Sequence, residues 1–158
     1  MKYLKWLLLL PVAAFPYVYF AGIQFDLPVS PWSLIWAGWL AGLAGAVPVV
    51  LTRKRWTARE LALADLLIKL VHIPAYVVWF VLGVAMILFL GPLIAFVMDA
   101  MAILLSGLVG LAAVLRCRAE GRLTRKAAVI HGVLQFIFCA DVFSAVWVYR
   151  KSKEVIST

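Results

Sequence analysis

The sequence predicts an all-α, polytopic integral membrane protein: one transmembrane domain over residues 1–158, with about five helices and a long Pro-kinked third segment. Three observations carry this. Two-thirds of the residues are hydrophobic (66%) and 14% are charged, against about a quarter charged in soluble domains. The mean hydropathy is +1.07. A soluble domain of 158 residues has too high a surface-to-volume ratio to hide that much apolar surface. The apolar residues also come in continuous runs. The strands of a transmembrane barrel alternate in polarity, so helices are the remaining way to satisfy the backbone in lipid.

The first helix is expected over residues 3–25. "VAAFPY" is a poor cleavage site and the apolar run continues past it, so this reads as an uncleaved helix rather than a signal peptide. Pro11 and Pro16 each remove a backbone donor and should bend it. "DLPVSP" (26–31) is a turn without Lys or Arg. The second helix, 32–52, has Pro31 at its start and ends in "RKRW". "TARE" (57–60) is a capping box, with Thr57 as cap and Glu60 reaching back. The helical pattern then runs from 58 to 90, about 50 Å at 1.5 Å per residue. The hydrocarbon core is about 30 Å thick. The surplus is resolved most simply by dividing the segment at Pro74, with 58–73 lying along the surface and 75–90 spanning. After "GP" at 91–92 come a helix over 93–116 and a last one over 127–149.

The net charge is +8. Lys and Arg cluster at the ends of apolar runs, where they set topology and meet lipid headgroups. No basic domain exists to carry nucleic acid. With the N-terminus inside and five crossings, Lys2, Lys5, Arg53–Arg59 and Arg116–Lys126 fall inside, and Arg150, Lys151 and Lys153 fall outside. This bias fits a bacterial cytoplasmic membrane, with its lipid bilayer as the first partner. Trp6 and Trp56 near inner ends, and Trp32, Trp147 and Tyr149 near outer ends, form an interfacial belt. Cys117 and Cys139 differ in expected depth and read as free thiols.

Ionisable groups inside a membrane are costly and are candidates for function. Asp65, Lys69, His72 and Tyr76 fall on one narrow helical face at about 100° per residue. They read either as part of an ion or proton path or as an amphipathic surface stripe on which Lys69 snorkels. The surplus length favours the surface for Asp65 and Lys69. Pro74, opposite the stripe, frees the carbonyl of Leu70. Asp99 interrupts an apolar run, a cost of about 2.5–3.5 kcal/mol on insertion scales. Asp99, Ala102, Ser106 and Gly110 share one small, polar face suited to packing against other helices. In the last helix Gln135 should bond across helices and Asp141 is again costly. His131 reads as interfacial. Gly38, Ala41, Gly42 and Gly45 form a small-residue groove for tight packing, within the chain, in a homo-oligomer or with another membrane protein. Trp36 and Trp39 beside it could line an aromatic cavity, and more often serve packing.

No helix carries an HxxxH or ExxH pair, so no metal or other cofactor is expected. GxSxG, HExxH, P-loop and GxGxxG motifs are absent, and no catalytic residue is assigned. The intramembrane polar set and the proline-interrupted helices favour a small transporter, channel or membrane subunit of a transport complex, coupled to protons through the carboxylates. A non-catalytic scaffold or regulatory membrane protein is the alternative. A lipid-acting enzyme is third, because the motifs of catalysis are missing.

Overall fold

A computed structural model describes residues 4–25 and 28–154. Lys2, Asp26 and the last residues of the expected C-terminal tail lie outside it. Among the described residues all regular structure is helical. Four stretches are long and apolar enough to cross a membrane: Lys5–Gly22, Pro31–Leu51, Ala58–Ala85 and Gly91–Ala119.

The first stretch is built in pieces, as its prolines dictate. A 3-10 turn (Leu4–Leu9) leads into α1 (Leu10–Ala14), a second 3-10 turn (Phe15–Tyr17) contains Pro16, and α2 (Val18–Gln24) follows. Pro11 sits in the first turn of α1, where its missing N–H costs nothing. The next helix, α3 (Pro31–Leu51), is capped by the Ser30 side chain, which accepts from the Ser33 amide. It packs tightly against the first stretch and against α5. A Cβ on Gly45 would lie 2.1 Å from the Leu8 carbonyl oxygen, and one on Gly42 would lie 2.5 Å from Leu105. Gly38 faces Val18 in the same way. The predicted glycine groove is therefore filled by the chain's own helices, while Ala41 is exposed and takes no part.

Thr57 and Glu60 form the expected capping box at the start of α4 (Ala58–Ala85). Here the sequence expectation needs correction. The helix is not divided at Pro74 but runs through it, and it stops at Ala85 rather than 90. The chain then tightens into a 3-10 turn, and Leu90 takes a left-handed conformation (φ 59°) before α5 (Gly91–Ala119). Nor is 58–73 a surface segment. Leu61, Ala64, Asp65, Ile68, Lys69 and His72 are all buried, and α4 and α5 share the most extensive helix–helix interface.

The expected fifth helix over 127–149 is two helices: α6 (Arg125–Leu134) and α7 (Ala140–Lys151). Residues 135–139 reverse the chain, with Cys139 at φ 63°. The antiparallel pairing is visible along its length. His131 stacks on Trp147 with ring centroids 3.9 Å apart. At the open end Arg122 donates to the Glu154 carbonyl at 2.7 Å. Contacts of the hairpin with α4 fix its reach. Tyr76 packs on Phe138 and Lys69 meets Asp141, both near the middle of α4. The hairpin penetrates about half the length of the bundle and returns.

One end of the bundle gathers the basic residues. Lys5 pairs with Glu60 at 2.8 Å and lies over the Trp56 ring. Glu120 accepts from the Ala58 amide, from Arg116 and from Arg122, each at 3.0 Å. The hairpin brings Arg150, Lys151 and Lys153 back to this same end, which corrects the expectation that they lie opposite. Among the described Lys and Arg residues, only Lys69 lies elsewhere.

Candidate functional site

The tip of the hairpin meets α4 and α5 at a buried polar cluster. Asp65 and Lys69 are fully buried and Asp141 is 1% exposed. The helical spacing i,i+4 stacks Asp65 under Lys69, and the Lys69 ammonium lies 3.6 Å from Asp65 Oδ1. The same ammonium donates to Asp141 Oδ2 at 3.1 Å. Asp141 occupies the first turn of α7, where the helix dipole favours negative charge. Its second oxygen accepts from the Val142 amide at 2.8 Å.

Glycines on α5 make room for the tip. A Cβ at Gly110 would lie 2.3 Å from Gln135 Oε1 and 2.8 Å from Asp65 Oδ1, and one at Gly107 would meet the Phe136 ring at 2.6 Å. Gln135 is buried and donates through Nε2 to Ser144 Oγ at 3.3 Å. Ser144 in turn lies 3.0 Å from His131 Nδ1. Polar groups thus continue from the trio along the inside of the hairpin toward the basic end. Neither Asp65 oxygen nor Gln135 Oε1 has a hydrogen-bond partner among the described residues. That is unusual for groups buried this deeply.

His72 and Tyr76 continue the α4 stripe in a different role. Pro16 has no N–H, so the Val12 carbonyl four residues earlier loses its helical donor. His72 supplies it, with Nε2 3.0 Å from that oxygen. A carbonyl can only accept, so Nε2 carries the proton. Nδ1 is then free to accept from the Tyr76 hydroxyl at 3.4 Å. A reciprocal bond runs from the Tyr17 hydroxyl to the Val71 carbonyl, in the turn that Pro74 opens. The donor expected at Leu70 thus arrives one residue further on. Prolines on neighbouring helices each free a carbonyl: His72 donates to the one that Pro16 frees, and Tyr17 donates to Val71, next to the one that Pro74 frees.

Asp99 stands apart from the trio. It is half-buried on α5, and its Oδ1 has no partner among the described residues. It lines a laterally open groove of about 610 Å³ between α4, α5 and the hairpin tip. Tyr76 lies within electrostatic range of both Asp99 and Asp141. Ala102, Ser106 and Gly110, which share a face with Asp99, are buried as expected of a packing face. Ser106 donates to the Ile103 carbonyl of its own helix. A separate crevice of about 280 Å³ between α4 and α7 carries Tyr76 and Asp141 on its wall. Trp36 lines a shallow groove with Met98 and Met101 that holds no carboxylate. Among the described residues no group of His, Cys, Asp and Glu is arranged to hold a metal ion.

The sequence reading did not single out Ser144, Gly107 or the Val12 carbonyl. Ser144 carried a usable signal, since Asp141, Ser144, Ala145 and Val148 repeat at helical spacing and are all buried on α7.

Residues 46–154 match a family of unknown function, DUF6652. The chain belongs to this family. No curated protein and no solved structure matches it. The DUF6652 segment runs from the last turns of α3 through α7, so it contains Asp65, Lys69, Asp99, Gln135 and Asp141. It leaves out the first stretch, which provides the Val12 carbonyl.

Proposed function

We propose that this DUF6652 protein is a small proton-coupled membrane transporter, or the membrane subunit of a transport complex, in a bacterial cytoplasmic membrane with its basic end on the cytoplasmic side. The four apolar stretches have spanning length, and the gathering of Lys and Arg at one end accords with the positive-inside bias. In this setting the hairpin is re-entrant. Its apex sits near mid-depth, where irregular backbone is tolerated only when it is covered by protein or lines a cavity.

The observation that carries the reading is the charge of the buried trio. Asp65, Lys69 and Asp141 have formal charges that sum to minus one, and the cluster lies at the broken point of a helical hairpin. Unbalanced charge in a low-dielectric site is expensive. One proton brings the trio to neutrality. A proton on Asp141 removes the closer of the two attractions on Lys69 and leaves the ammonium to Asp65. Its departure restores the 3.1 Å bridge. That bridge ties the hairpin to α4, so proton binding and hairpin position are linked. Half-helix termini near mid-membrane form the substrate and ion sites of many transporters. The crevice beside Tyr76 and Asp141 provides lateral access. Gln135, Ser144 and His131 provide hydrogen-bonding groups toward the basic end. A scaffolding role is less favoured, because the glycine face that would serve it is filled from within the chain.

The test is potential-driven proton movement in proteoliposomes containing a pH-sensitive dye. Wild-type protein is expected to carry protons, and Asp141→Asn, purified as a folded monodisperse species, is expected to lose this. Proton movement at the wild-type rate in Asp141→Asn contradicts the reading.

A further inference from the structure

The hairpin ends at mid-depth, and beyond its tip the seam between α4 and α5 is left uncovered among the described residues. There the two helices come close, and a Cβ on Gly83 would lie 3.0 Å from that of Ala95. The outcome is the groove of about 610 Å³, a size typical of small-molecule sites. Its walls include Phe80, Phe96, Phe136 and Phe138, and its polar residue is Asp99. Phe80 and Phe96 are 67% and 70% exposed, so the groove opens sideways, toward lipid in the reading above.

The lining selects its occupant by chemistry. An anion would meet the Asp99 carboxylate. A small hydrated cation or a divalent metal needs several oxygen ligands, and the groove offers one carboxylate. A neutral hydrocarbon would leave the carboxylate facing an apolar surface, which is costly. A cation with its charge spread over hydrocarbon satisfies every wall. It sheds little hydration, its charge pairs with Asp99, and its apolar groups meet aromatic faces that also attract cations.

We propose that this groove is a binding site for lipophilic monovalent cations, quaternary ammonium or phosphonium ions bearing aromatic or alkyl groups, with Asp99 as the counter-ion. Binding here does not depend on the transport reading, and it is measured without flux. The probe is radiolabelled tetraphenylphosphonium, added to the full-length protein in nanodiscs and followed by equilibrium binding. Wild-type protein is expected to bind saturably at one site per chain. Asp99→Asn is expected to weaken binding at least tenfold. Ala100→Trp fills the groove from its exposed wall and leaves the carboxylate in place, and it is expected to weaken binding as much. This second variant decides the matter if Asp99→Asn does not fold. The absence of saturable binding to wild type, wild-type affinity in either folded variant, or equal competition by an uncharged tetraphenyl analogue overturns the proposal.

Discussion

Replacing Lys69 by methionine removes the one ammonium from the buried trio and leaves two carboxylates facing each other's surroundings without a counter-charge. Lys69 Nζ is 3.1 Å from Asp141 and 3.6 Å from Asp65. At an effective dielectric of about 20, each separation corresponds to about 5 kcal/mol of attraction. Several kcal/mol per ion of lost hydration offset it. Removing the cation forfeits the attraction and keeps the desolvation of both anions, which costs about 3–5 kcal/mol. Asp141→Asn acts differently. It leaves Lys69 and Asp65 as a charge-balanced pair, and the asparagine oxygen can still accept from the Val142 amide. What is lost is one charge-assisted bond, about 1.5–3 kcal/mol. Asp65→Asn should cost least, under about 1 kcal/mol, because neither Asp65 oxygen is hydrogen-bonded and the change relieves the surplus negative charge. Equilibrium unfolding in mixed micelles with increasing SDS measures all three. The expected order of destabilisation is Lys69→Met, then Asp141→Asn, then Asp65→Asn. Wild-type stability in Lys69→Met, or a larger loss in Asp65→Asn than in Asp141→Asn, refutes the charge reasoning.

The glycines of the site separate by the same assay. Gly110→Ala places a Cβ 2.3 Å from Gln135 Oε1 and should destabilise by about 1–3 kcal/mol through overpacking. Gly132→Ala, whose nearest neighbour would be Leu111 at 3.5 Å, should be neutral or gain up to about 1 kcal/mol of helix propensity. The reverse order would mean that the tip does not seat on α5 as described. The proline–histidine pairing predicts coupling. His72→Ala orphans the Val12 carbonyl when Pro16 is present, whereas in a Pro16→Ala background the restored backbone N–H can satisfy that oxygen. A double-mutant cycle in SDS unfolding should show at least about 1 kcal/mol of interaction, and additivity would count against the assignment.

Much of the architecture is legible in the residues. Composition and unbroken apolar runs point to membrane-length helices, the Thr57–Glu60 box marks the start of α4, and the basic clusters mark one end of the bundle. The alignment of Asp65, Lys69, His72 and Tyr76 follows from helical spacing alone. Two features were not legible. The burial of 58–73 is one, because length alone suggests a surface segment there. The helix instead runs through Pro74, and the Tyr17 hydroxyl of the first stretch donates to the neighbouring Val71 carbonyl. The reversal at 135–139 carries no Gly or Pro, and "QFIFC" reads locally as the interior of an apolar helix. What turns the chain there is tertiary: Gly107 and Gly110 open a seat on α5, and Lys69 holds Asp141 from α4. On one continuous helix the 100° rule sets Gln135 and Asp141 about 120° apart. The hairpin brings both to Asp65.

The side of the C-terminus is the most direct test, because a re-entrant hairpin returns it to the starting face and a fifth crossing does not. With Cys117 and Cys139 replaced by serine, single cysteines at Val29, Lys54 and Lys153 can be probed on intact cells with a membrane-impermeant maleimide, before and after permeabilisation. Positions 54 and 153 are expected to behave alike, and position 29 opposite to both. Labelling of 153 together with 29, and apart from 54, would contradict the hairpin and with it the site at its tip.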